Sequence, residues 1–287
     1  MKRRDFLSWS AATAVTAASA RAMAASSESA AAPTESPDAP ADDAATEAAA
    51  PTEPAEPPTP QAILEWRTYE VADADKLAFV SKYLQDAALP AWERLGVGPI
   101  GAFTEVGDDP RSCLHLLLSY ADAAQFATAR AALEEDTKYR AAAADYLAAS
   151  KEDPAFVRIA SELLLAFAGA PQVIVPQKKP RLYELRTYES HSESKARRKI
   201  EMFNDGEIEI FPQCGFEPVF FGETLVGPRL PNLKYMLASA DVEANEASWK
   251  RFVEHPEWLQ MRDLPKYADT VSQIHKQFLV PTDFSQL

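Results

Sequence analysis

Two short stretches carry the densest chemistry in the chain. Glu65, Arg67 and Tyr69 lie in Leu64-Glu65-Trp66-Arg67-Thr68-Tyr69-Glu70, and Glu184, Arg186 and Tyr188 lie in Tyr183-Glu184-Leu185-Arg186-Thr187-Tyr188-Glu189. A carboxylate, a guanidinium and a phenol at every second position share one face of a β-strand. A guanidinium is planar and grips a carboxylate through two parallel hydrogen bonds. Each arginine is therefore expected either to pair with a glutamate across a pseudo-twofold axis, fixing the register of two sheets, or to hold an anionic ligand. The ion pair is the simpler reading, because a buried charge needs a partner in any case.

Other reactive side chains are sparser. His115 and His275 fall on expected strands, His191 falls in a turn, and His255 stands at a helix break before Pro256. By spacing, none is paired with another histidine, a cysteine or a carboxylate pair as metal ligands are, so no metal site is expected. Cys113 and Cys214 stand apart and read as small buried apolar residues. Trp66, Trp92, Trp249 and Trp258 fall at core positions. Neither a glycine-rich phosphate loop nor a nucleophile elbow occurs, which argues against nucleotide-dependent chemistry and serine hydrolysis.

The elements that must position these residues follow from a repeat. Arg67 and Arg186 are 119 residues apart, and the same offset relates Gly96 to Gly215, Pro99 to Pro218, Asp122 to Asp241, Glu135 to Glu254 and Tyr139 to Trp258. The duplicated unit spans 63–167 and 182–284, with 169–180 as the joint. Each copy reads as strand, helix, strand, strand, helix, strand. The first helix is expected over Asp75–Leu95, on Leu77, Val80, Leu84 and Ala88, and over Ser194–Phe211, each ending near a glycine. Strands are expected over Ile100–Val106 with Cys113–Tyr120, over Val219–Val226 with Leu233–Ala238, and over Ser161–Phe167 and Val271–Val280. Asp122 and Asp241 read as caps of the second helices. Residues 151–160 have no clean counterpart, which points to an extra helical piece or loop in the first copy.

Ahead of the repeat lie two segments of another kind. Lys2-Arg3-Arg4-Asp5-Phe6-Leu7 resembles the twin-arginine export motif, a mild Ala/Ser/Thr-rich stretch follows, and Ala22-Met23-Ala24 offers a cleavage site, with Ala18-Ser19-Ala20 as the alternative. The stretch is too short and too mild for a membrane span. Residues 25–60 are almost entirely Ala, Pro, Ser, Thr, Asp and Glu, with no aromatic residue and no base. Such a composition cannot offset its ordering entropy and is expected to form a disordered spacer. The expected domains are thus a signal peptide over 1–24, a linker over 25–60, and two α+β units over 61–170 and 181–287. The net charge of −14 and pI near 4.8 argue against nucleic acid, whose binding needs a basic face, so no nucleic-acid partner is expected. The location implied is periplasmic or secreted.

The Tyr-Glu-Leu-Arg-Thr-Tyr strand at Tyr183–Tyr188, the Gly-Phe-x-Pro-Val turn at Gly215–Val219, the His-Pro-x-Trp at His255–Trp258 and the closing Leu-Val-Pro-Thr-Asp-Phe at Leu279–Phe284 resemble the NIPSNAP family. The first copy departs from that pattern, with Glu135-Asp136-Thr137-Lys138-Tyr139 where the second has Glu254-His255-Pro256-Glu257-Trp258. A site built on His255 and Trp258 would then exist in the second half only. The resemblance implies ferredoxin-like units of the dimeric α+β barrel superfamily, here two in tandem that close a barrel within one chain, as a monomer or in a homodimer. Few inward polar residues and no acid/base pair with a nucleophile favour a non-catalytic module binding a small apolar or anionic ligand or a partner; the resemblance brings the alternative, a cofactor-free or haem-dependent enzyme of monooxygenase or isomerase type acting on an apolar substrate. No cofactor is expected, with haem the minor alternative. The candidate ligand-binding residues are Glu65, Arg67, Tyr69, Glu184, Arg186, Tyr188, His255 and Trp258.

Overall fold

A computed structural model describes residues 60–106, 113–177 and 181–287. The expected signal peptide and nearly all of the expected linker, residues 1–59, lie outside the described residues. No helix among the described residues is long and apolar enough to cross a membrane.

The first unit comprises β1 (Ile63–Glu70), α1 (Ala74–Tyr83), α2 (Leu89–Arg94), β2 (Gly101–Glu105), β3 (Cys113–Tyr120), α3 (Ala123–Glu135), α4 (Thr137–Ala142), α5 (Ala144–Leu147) and β4 (Arg158–Ala166). The second comprises β5 (Leu182–Glu189), α6 (Glu193–Met202), α7 (Ile208–Gln213), β6 (Glu217–Val226), β7 (Asn232–Ser239), α8 (Val242–Glu254), α9 (Pro256–Arg262) and β8 (Gln273–Pro281). The expected strand-helix-strand-strand-helix-strand order is present twice. Asp122 and Asp241 cap α3 and α8 by accepting from the backbone N–H groups of Gln125 and Ala244, each at 2.8 Å.

The first helix of each copy is not continuous. A single π-helical turn, Leu84–Ala88 or Phe203–Glu207, separates α1 from α2 and α6 from α7 at the same place in the repeat. Such turns arise where packing demands a register shift along a helix, and they recur at functional sites. Gly96 and Gly215 follow α2 and α7 at φ 71° and 93°, backbone that a side chain resists and a glycine accepts. The extra piece expected over 151–160 is a loop that runs into β4 at Arg158, with no helix of its own.

All eight strands form one closed antiparallel barrel in the order β1-β3-β2-β8-β5-β7-β6-β4. Within each unit the first strand lies between the fourth and the third; the units join where β2 pairs β8 and β4 pairs β6. The chain past β8 strengthens one seam, with Thr282 N–H donating to Ala102 O at 2.9 Å and Gln286 N–H to Ile100 O at 3.0 Å.

Alternation divides the apolar residues between two faces. Leu64 and Trp66 of β1, Phe103, Leu117, Leu164, Tyr183, Leu185, Phe220, Met236 and Leu279 form one cluster drawn from every strand and from no helix, which is the barrel lumen. The opposite faces pack under the helices in two separate clusters, one per unit. Phe103 of the first unit lies with its ring centroid 4.9 Å from that of Tyr183 of the second, and both are fully buried. Because that layer belongs to both units, Phe103→Ala is expected to cost about 3–5 kcal/mol. Urea unfolding followed by fluorescence and by far-UV circular dichroism should then show a single coincident transition; two separated transitions would show that the halves fold independently.

Candidate functional site

The structure places both Glu-x-Arg-x-Tyr trios on the outer face of the barrel, under the helices. Within the first trio, Arg67 grips Glu65 through both oxygens, Nε to Oε1 at 2.8 Å and Nη2 to Oε2 at 2.9 Å. Glu65 also accepts from the Tyr120 hydroxyl at 2.9 Å and from Ser161 Oγ at 2.5 Å. Burial, and next the Glu65 carboxylate, push the Tyr120 hydroxyl pKa up, so it remains a proton donor to that carboxylate. Tyr69 lies in the helix-side cluster, edge-on to Phe156.

The second trio is better enclosed. Arg186 Nε donates to Glu184 Oε1 at 2.7 Å and Nη1 to the Tyr188 hydroxyl at 3.3 Å. The other oxygen of Glu184 accepts from Asn245 at 3.0 Å and from the Trp249 indole at 2.5 Å, both on α8. The Arg186 guanidinium lies 3.4 Å from the Trp249 ring centre, a close cation–π stack; the nearest equivalent, Arg67 over Trp92, is at 5.5 Å.

The expected pairing across the pseudo-twofold axis does not occur. Each arginine pairs with the glutamate two residues earlier on its own strand, because residues i and i+2 project side by side from one face. That face looks into a helix layer private to each unit, so the trios never meet.

Of the residues peculiar to the second half, Trp258 is partly buried against Phe252, with ring centroids 4.8 Å apart. Its ring lies 5.4 Å from Lys199 Nζ, which also faces Tyr188 at 5.7 Å and Phe203 at 4.7 Å. Lys199 pairs with Glu207 at 2.6 Å, both buried. Their counterparts in the first unit, by the same offset, are Val80 and Ala88. His255 precedes Pro256 at the start of α9, makes no side-chain cap there, and leaves a buried Nδ1 without a partner. The structure brings Trp258 to the edge of the second trio and does not bring His255 to it.

Two features of the site escaped the sequence. Lys276 stands directly opposite Arg186 in the β5–β8 ladder, where the first unit has Ser161 opposite Arg67. Although Lys276 is exposed, partial desolvation by the surrounding protein first, and then the neighbouring Arg186 charge, lower its pKa. The lumen, moreover, is apolar at one end only. At the other, Thr68 Oγ1 lies 2.9 Å from His115 Nδ1, His115 Nε2 lies 3.0 Å from Glu105 Oε1, and Gln277 donates to the same oxygen at 2.7 Å. In the second half Lys234 donates to Thr187 at 2.9 Å and lies 3.3 Å from Glu162. Period-two alternation from Glu65 would have marked Thr68 and Thr187 as the opposite face, yet nothing in the sequence says which face turns inward.

The NIPSNAP family profile matches this chain twice, over residues 64–168 and 183–286. The chain belongs to the NIPSNAP family. No curated protein matches it. Among solved structures, a "putative monooxygenase" from Fusobacterium nucleatum is similar over 77% of this chain and 93% of its own, at 12% identity and a TM-score of 0.53. Another so described, from Lactobacillus acidophilus, is similar over 77% and 94%, at 11% identity and a TM-score of 0.52. These likenesses show the barrel fold. A NIPSNAP family protein of unknown function from Agrobacterium tumefaciens aligns over 39% of this chain and 97% of its own, at 22% identity and a TM-score of 0.33.

At the sheet–helix interface, among the described residues, only the second NIPSNAP unit carries an internal Lys–Glu pair. Breaking such a pair strands a charge, whereas replacing both partners by apolar residues does not. Lys199→Met alone is expected to lower stability by about 3–5 kcal/mol, and Lys199→Met with Glu207→Met to recover most of that loss. Guanidinium unfolding of the two variants checks it.

Proposed function

We propose that this NIPSNAP protein is an exported, non-catalytic binding module whose second unit holds a small anionic ligand. One observation carries the reading: Arg186 and Lys276 are directly opposite neighbours on adjacent strands. Like charges so placed repel by a few tenths to about 1 kcal/mol, and a bound anion turns that repulsion into attraction. Arg186 commits Nε and Nη1 to Glu184 and Tyr188, and no side chain among the described residues accepts from its Nη2. Lys276 is exposed and pairs with no carboxylate among them. The stacked Trp249 and the bond to Glu184 fix the guanidinium, so little ordering remains to be done on binding.

The enzymatic alternative places an apolar substrate inside the barrel. Among the described residues, Trp66, Phe103, Leu117, Tyr183, Leu185 and Met236 fill the apolar half of the lumen. The residues do not fit a haem there either: Trp66 stacks on the His115 imidazole at 5.4 Å, the Glu105 carboxylate stands 3.0 Å from its Nε2, and apolar side chains fill the lumen where the macrocycle would lie.

Thermal unfolding with benzoate, acetate and inorganic phosphate tests the binding site. The wild type is expected to gain several degrees with at least one of them, following the linkage between binding and stability. Lys276→Met is expected to unfold slightly later than the wild type in the absence of anion and to lose the anion-dependent gain. A wild type indifferent to all three anions, or a variant that keeps the full gain, overturns the reading.

Export rests on the Arg3-Arg4 motif, the mild apolar stretch and the small-residue cleavage site. With Arg3 and Arg4 both replaced by Lys, fractionation of expressing cells is expected to show the full-length chain retained in the cytoplasm, while the wild type reaches the periplasm or medium. Equal distribution of the two would count against the twin-arginine route.

A further inference from the structure

The polar end of the lumen holds a side-chain group that the anion site does not use. Cys113 and His115 are two residues apart on β3 and so share its inner face, and Glu105 on β2 faces them across the hairpin. One ligand atom from each, a thiol sulfur, an imidazole nitrogen and a carboxylate oxygen, lie within 4.8 Å of one another. Zinc is bound at about 2.3 Å by thiolate and about 2.0–2.1 Å by imidazole or carboxylate, so gathering the three around one ion takes side-chain shifts of about 1 Å.

Two independent features favour a cation here over a plain hydrogen-bonded cluster. The first is the orientation of His115. Its Nδ1 faces the Thr68 hydroxyl at 2.9 Å and its ring stacks on Trp66, which leaves Nε2 aimed at Glu105. A ligating histidine is held in this way through the nitrogen that does not bind the metal.

The second is the repeat itself. The offset of 119 that relates Arg67 to Arg186 also takes Glu105, Cys113, His115 and Thr68 to Thr224, Asn232, Lys234 and Thr187. In the second half, then, the position of His115 carries an ammonium, buried between Thr187 at 2.9 Å and Glu162 at 3.3 Å. Glu162 pairs with Trp66 as Gln277 pairs with Leu185, so Gln277 stands in the first-half group where Glu162 stands in the second. One half places an ammonium between Thr187 and Glu162. The other places an imidazole, a thiol and a carboxylate at the corresponding positions, the donor set of a borderline-soft divalent ion.

We propose that Glu105, Cys113 and His115 form a binding site for a divalent transition-metal ion of the zinc type at the polar mouth of the barrel. With three protein ligands, the ion keeps a fourth position for water or an exogenous donor. Binding converts the Cys113 thiol to the thiolate, with release of its proton to solvent. Thr68 is a positioning residue, acting through His115.

Cobalt(II) titration of the full-length, metal-stripped protein tests the site, because a cysteine-bound cobalt ion shows thiolate-to-metal charge transfer in the near ultraviolet and zinc displaces it. The wild type is expected to bind one cobalt ion with that absorption. Cys113→Ser should abolish the charge transfer, Cys214→Ser should leave it intact, and His115→Gln and Glu105→Gln should each weaken cobalt binding at least about tenfold. Thr68→Val, which spares all three ligands, should weaken it by about 10- to 100-fold, and decides the matter if His115→Gln fails to fold. Absence of the absorption in the wild type, its survival in Cys113→Ser, or unchanged cobalt affinity in Thr68→Val overturns the proposal. None of these readouts depends on whether benzoate, acetate or phosphate stabilises the protein, so this site and the anion site stand or fall separately.

Discussion

Closing eight strands into a barrel and laying helices over the first strand of each unit takes Glu65 and Glu184 out of water, and a carboxylate buried there must be satisfied from within the protein. Glu65 and Glu184 each meet that demand with an arginine and two further donors. Removing one donor would leave a buried charge short of a partner, a loss larger than the bond itself is worth. The donors come from different elements: β1, β3 and β4 converge on Glu65, whereas β5 and α8 converge on Glu184. One side chain per unit therefore ties the first strand to its neighbours in one half and to the helix layer in the other.

That difference shows what fusing two copies of a module permits. In an assembly of identical subunits, a substitution appears at both related positions at once. Within one chain, Lys199, Glu207, Lys276 and Trp249 can stand opposite Val80, Ala88, Ser161 and Arg130 without disturbing them. The lumen, which neither unit can build alone, constrains both copies together through Phe103 and Tyr183. The sheet–helix interfaces are private, and charge has accumulated in one of them. Anion recognition in the second half and a histidine-cysteine-carboxylate group in the first are two outcomes of the same freedom.

The repeat made the architecture legible. A constant offset along an alternating pattern identifies strands and their order, and the Asp122 and Asp241 caps mark where the second helices begin. Alternation also grouped Glu65 with Arg67 and Tyr69 correctly. It could not assign that group to the lumen or to the helix side, because both faces of these strands are rich in apolar residues: Leu64 and Trp66 on one, Ile63 and Tyr69 on the other, all buried. The π turns were hidden for a related reason, since a one-residue register shift leaves apolar spacing almost unaltered. Lys276 and Glu105 were missed because what matters about them is a cross-strand neighbour far away in sequence. Cys113 and His115 were different: a Cys-x-His pair on a strand is visible in the sequence, but only the fold of the β2–β3 hairpin adds the carboxylate.

Charge sets the final constraint on what can bind. The chain carries a net charge of −14, and residues 25–60 alone contribute eight acidic residues and no base. A field of that sign opposes an approaching anion and favours an approaching cation, but salt confines it to about 8–10 Å at physiological ionic strength. Anion capture must then be won at contact, where a guanidinium already oriented by Glu184 and Trp249 has only Lys276 to repel it. The same field favours a cation approaching the lumen mouth. What limits it is the desolvation of three buried or half-buried ligands, a cost that His115 has partly met by being held in place through Thr68 and Trp66.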